Sequence, residues 1–192
     1  MSEKKETQEE TKKNKLKITL PFVVVIAGVL VTIISLLLPY MTAVGKLDEY
    51  IEKHPDVILE DTLGLTTGEF AKVSVISIGN LVTSVYGQDN GTFTNAIILV
   101  FGGLLALTAL FAIFKKPIAI MIFDLLAYGA FFVLNHLTKE LFIAADKYAR
   151  GIGYYTMLIA IVAIFVGAVW MLVNKIMIKR QAKKTMVFDS IE

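Results

Sequence analysis

Within PIAIMIFDLLAYGAFFVLN, residues 117–135, a single acidic side chain, Asp124, interrupts an otherwise apolar run. A carboxyl group in such a setting can take up and release a proton, hold a cation, or tie neighbouring helices through a hydrogen bond. Counted from Lys116, it stands roughly 12 Å along a helix. Asp124, Tyr128, Phe131 and Asn135 would share one helical face. Thr108, seven residues before Lys115, and Gly167, eight before Lys175, fall at the same level on other apolar segments. No Lys, Arg or His occurs inside the apolar runs to neutralise the acid. The expected arrangement is an interior, neutral carboxyl bonded to Thr108 or Tyr128, with Gly167 allowing close backbone approach. The sharper alternative makes Asp124 a proton- or cation-coupling residue. No second acid or interrupted helix accompanies it.

Other chemistry-bearing residues are scattered. His54 and His136 fall in separate polar segments. Asp48, Glu49, Glu52, Asp56, Glu60 and Asp61 cluster without calcium-loop spacing and read as a solvated face. Asn90-Gly91-Thr92 matches a glycosylation acceptor formally. Gly151-Ile152-Gly153 lacks an evident strand–turn–helix context that would make it a phosphate cradle. Cysteine is absent, which excludes disulfides, thiolate metal sites and cysteine nucleophiles. No cofactor, metal or nucleic acid is expected, and the chain reads as non-enzymatic.

The elements that must position Asp124 follow from hydropathy. The chain is 56% hydrophobic and 19% charged, against about 25% charged in ordinary soluble domains. Its apolar residues concentrate in four runs, 19–43, 93–114, 117–135 and 153–174. Each is long enough to cross, or nearly cross, about 30 Å of hydrocarbon as a helix. The expected fold is an all-α integral membrane protein with four transmembrane helices, both termini on one side and a larger first external loop. Residues 1–18 read as a disordered tail, and the first run as a retained anchor because it is too long for a signal-peptide core. Gly102, Gly103 and Gly167 are the candidate helix-packing positions.

Residues 44–92 form the external loop, with eight acidic and three basic groups. Within it, Thr66 and Glu69 suggest a capping box, 67–86 a helix, and 87–91 a turn. Residues 136–152 form a second, short loop with an interfacial helix, and 175–192 a basic tail. Eleven Lys and Arg lie close to the spans on the terminus side and six on the other. The positive-inside pattern therefore puts both termini in the cytoplasm of a cell-membrane protein. Four spans with a large first external loop resemble the topology of tetraspan junction proteins. Their external Trp and paired Cys are missing here, Trp170 lying in the fourth run. The expected role is an accessory, scaffold or interaction subunit, with the bilayer and a membrane or extracytoplasmic protein as partners. The alternative is a small transporter or channel component that uses Asp124.

Overall fold

A computed structural model describes residues 20–57 and 66–188, with side chains described as far as Gln181. The expected tail at 1–18, and Glu60 and Asp61 of the acidic cluster, lie outside the described residues. The chain is mostly helical. Helix α1, Leu20–Ser35, is followed by strand β1, Pro39–Ala43. Helices α2, Lys46–Lys53, and α3, Thr67–Ala71, precede strand β2, Lys72–Ser74. Helices α4, Val75–Tyr86, α5, Gln88–Ile113, and α6, Pro117–Thr138, come next. A π-helical turn at Lys139–Ile143, strand β3, Tyr148–Arg150, and helix α7, Ile152–Phe188, complete the order.

Among the described residues, three helical segments are long and apolar enough to cross a membrane: Gln88–Ile113, Pro117–Ile143 and Ile152–Gln181. The first apolar run differs from its expectation. It is helical only over Leu20–Ser35 among the described residues, about 24 Å at 1.5 Å per residue. Pro39 has no N–H to continue the helix, and it is tolerated as the first residue of a strand. Pro39–Ala43 is therefore extended rather than helical. Tyr40 in this strand is buried.

An all-α fold is corrected by this strand, which forms the centre of an antiparallel sheet in the order β2-β1-β3. Pro39 pairs with Ser74 and Met41 with Val73, so Tyr40 is an extra, bulged residue. Met41, Thr42 and Ala43 pair on the other side with Arg150, Ala149 and Tyr148. Part of the expected helix at 67–86 is therefore strand, because β1 gives the branched run at Val73 a partner. With β1 in place, three residues pair and the chain then turns into α4. The Thr66–Glu69 capping box does form, Thr66 N–H donating to Glu69 Oε2 over 2.7 Å.

The helices pack through small residues. Gly87, at φ 88°, turns α4 back into α5, so α5 starts five residues before its expected start at 93. Gly79 and Gly91 let Asn95 and Thr83 occupy the space between these two helices. The α5–α6 link is a Schellman turn. Lys116 N–H donates to Phe111 O over 3.0 Å and Lys115 N–H to Ala112 O over 2.9 Å. Lys115 itself takes the left-handed position, φ 52°. Buried Val25, Gly28, Val29 and Thr32 give α1 its inner stripe, facing Ala160, Ile164 and Gly167 of α7. Ser35 Oγ and Thr156 Oγ1 join the same two helices across 2.9 Å. At the other end the sheet, α4 and the π-turn share one core with Phe101, Phe131, Leu134 and Met157 of the long helices. The sheet and α4 thus form a cap continuous with the bundle.

Candidate functional site

Asp124 is interior, 1% exposed, as its cost in lipid requires. Spacings of three and four residues give α6 a buried stripe of Ile120, Asp124, Ala127, Phe131, Leu134 and Thr138. That stripe takes Ala127 inward and leaves Tyr128 40% exposed. Thr108 is fully buried, but its hydroxyl donates to Leu104 O on its own helix, over 2.9 Å. Neither expected bond to Asp124 forms. Asp124 Oδ1 has no hydrogen-bond partner. Asn135 is half-buried three turns further on, and its Oδ1 is also without a partner.

The glycines divide. A Cβ on Gly167 would lie 2.8 Å from Val25 Cγ2 and 3.2 Å from Val24 Cγ1. This residue packs α7 on α1, not on α6 beside Asp124. A Cβ on Gly28 would lie 2.6 Å from Ile164 Cγ1 in the same interface. Gly102 and Gly103 were expected to pack, but a Cβ on either meets nothing within 4 Å. They sit on an outward face of α5.

A second polar group closes the cap end and was not expected. Tyr40 is buried near Thr138, and its hydroxyl has no hydrogen-bond partner. Burial raises its pKa well above the ordinary phenol range. Its ring meets Phe131 edge-on at 6.2 Å and Tyr154 at 5.6 Å. The Arg150 guanidinium lies 4.0 Å over the Tyr154 ring, and Arg150 Nη1 has no hydrogen-bond partner. The sequence signal was weak: Tyr40 and Arg150 are 110 residues apart and meet only through β1–β3 pairing. Gly151 and Gly153 do follow a strand and open a helix, contrary to expectation. Their space is taken by the backbone of Leu38 and Pro39, so they serve packing.

The cap carries an exposed aromatic pair on α2. Helix α2 turns Ile51 and Leu47 into the core and leaves Tyr50 48% exposed. Tyr50 stacks on His54 at 4.9 Å and 28°, with Glu49, Glu52 and Asp56 exposed around them. Tyr50 also borders a cleft of about 540 Å³, lined by Lys46 and Leu47 on one side and by Ala145, Asp146 and Lys147 on the other. The cleft therefore lies between the segment that follows β1 and the segment that precedes β3. His136 is exposed on α6 and far along the chain from His54. Among the described residues, no group of three or more His, Asp or Glu is placed to hold a metal. The chain matches no family model, no curated protein and no solved structure.

Proposed function

We propose that this chain is a non-enzymatic interaction subunit of the cell membrane that offers its cap to a protein partner. In this reading α1 joins the three long helices as a fourth span. Both termini are cytoplasmic and the acidic cap faces outward, in keeping with the distribution of Lys and Arg. The observation that carries the proposal is the Tyr50–His54 stack, held at the mouth of the cleft by a helix anchored through Ile51. An exposed aromatic on a rigid support loses little entropy on binding and is the residue type on which interface energies concentrate. Glu49, Glu52 and Asp56 near the stack and Lys46 and Lys147 along the cleft suit a partner whose contact surface carries both signs of charge.

The test is a mild-detergent pull-down from native membranes with the wild-type chain and with Tyr50→Ala/His54→Ala. Both side chains are exposed, so the fold survives the change. A stoichiometric partner retained by the wild type and lost from the variant supports the proposal. Equal recovery from both, or none from either, contradicts it.

A second reading, proton or cation coupling at Asp124, is favoured by one observation, the buried oxygen without a partner. Flux into proteoliposomes that is abolished by Asp124→Asn would support it. Flux indifferent to that change would remove it.

A further inference from the structure

At the Lys116 end of the bundle, opposite the cap, an apolar groove of about 540 Å³ runs between α6 and α7. Ile118 and Ile122 form one wall, Leu172 and Ile176 the other. Ile118, Ile122 and Ile176 are well exposed, so the groove opens on the outer wall of the bundle, where acyl chains would run. Lys116, Lys175 and Lys179 also line it, and none of its lining residues is acidic. Lys175 and Lys179 are one turn apart on α7, and Lys116 immediately precedes α6. The three ammonium groups thus belong to one end of an otherwise hydrocarbon slot. A smaller adjoining cavity of about 300 Å³ shares Pro117 and Lys175 and adds Lys115.

We infer that this groove is a binding site for an anionic phospholipid, one acyl chain lying between α6 and α7 and the phosphate held by Lys116, Lys175 and Lys179. The argument is charge and shape complementarity at the depth where a headgroup meets its chain. It requires that α6 and α7 lie in a bilayer, and it does not depend on a partner for the cap. The groove alone cannot select, because lipid tails are as apolar outside it as inside. Selection must come from the lysines. A basic residue near an anionic lipid surface contributes about fivefold in affinity, so three together give roughly a hundredfold. Chain contact fixes the position of the lipid, and charge fixes its class.

The experiment uses the full chain in a mild nonionic detergent, with native mass spectrometry of bound lipid. Phosphatidylglycerol and phosphatidylcholine with identical acyl chains are the probes. Phosphatidylglycerol should be retained preferentially, as one molecule per chain. Lys116→Gln/Lys175→Gln/Lys179→Gln should lower that retention by roughly a hundredfold, towards the phosphatidylcholine level. The corresponding three arginine substitutions should preserve it, which separates charge from folding. Ala119→Phe, which fills the groove and keeps every lysine, should also lower it, because the chain that positions the phosphate is displaced. Equal retention of the two lipids would overturn the inference, as would unchanged retention in the glutamine variant. Unchanged retention in Ala119→Phe would reduce the lysines to a diffuse surface charge and would overturn the groove as the site.

Discussion

The Tyr148 hydroxyl donates to the Phe70 carbonyl over 3.0 Å, joining residues 78 positions apart. One lies in β3 and the other in α3, so the bond closes the cap across β1. Tyr86 makes a similar link, its hydroxyl donating to Leu141 O over 2.6 Å. Tyr148→Phe would leave a buried carbonyl unsatisfied, at a cost of about 1–3 kcal/mol. Equilibrium unfolding in mixed micelles should show that loss, with faster amide exchange in both elements.

The same phenol gives the cap a pH dependence. Burial pushes Tyr148 from 10.0 up to about 12. The neutral form is favoured in the folded state, so its contribution is complete below about pH 10 and is lost as pH rises towards 12. Tyr40 is shifted in the same direction by burial. Unfolding measured between pH 9 and 12.5 should show falling stability, and Tyr148→Phe should flatten part of the fall.

Glycines of the bundle should separate by position. Gly28→Val forces a side chain onto Ile164 Cγ1 and the Ala160 carbonyl in the α1–α7 interface. Overpacking of this kind costs about 1–3 kcal/mol. Gly103→Val meets open space and should leave unfolding unchanged or raise stability slightly through better helix propensity. A comparable loss in both variants would contradict the assigned packing.

Asp124 makes no hydrogen bond through Oδ1, so Asp124→Asn removes no visible contact. Its stability should stay close to the wild type, since one buried polar group without a hydrogen bond replaces another. A loss of about 1–3 kcal/mol would instead mean that the carboxyl holds the helices together. The same variant decides the coupling reading when flux is measured.

The long helices were legible because sustained hydropathy marks a helix able to cross a membrane, and Asp124 stood out against it. Its interior position followed from cost alone. Its neighbours did not, since Thr108 satisfies its own hydroxyl on the preceding turn and the inward stripe selects Ala127 over Tyr128. The sheet was hidden for a different reason. Its three strands have five, three and three residues and lie far apart in the chain. Each is too short to show a period, and the central one directly follows an apolar helix. Gly28, Gly151 and Gly153 serve close packing, yet their residue type alone does not separate them from Gly102 and Gly103, which face open space.

The chain contains no cysteine, so single introduced thiols report sidedness cleanly. Tyr50→Cys should react with an impermeant maleimide in intact cells. Lys179→Cys should react only after the membrane is opened. Both positions are exposed in the fold, so lack of reaction reports the bilayer and not burial.

The claim that the cap is a partner-binding surface is tested most directly by a photocrosslinking residue placed at Tyr50, with Phe132 on the outer face of α6 as the comparison. In native membranes Tyr50 should give one discrete protein adduct, abolished by His54→Ala, and Phe132 should give lipid adducts. No protein adduct at Tyr50, or the same protein bands from both positions, would contradict the account.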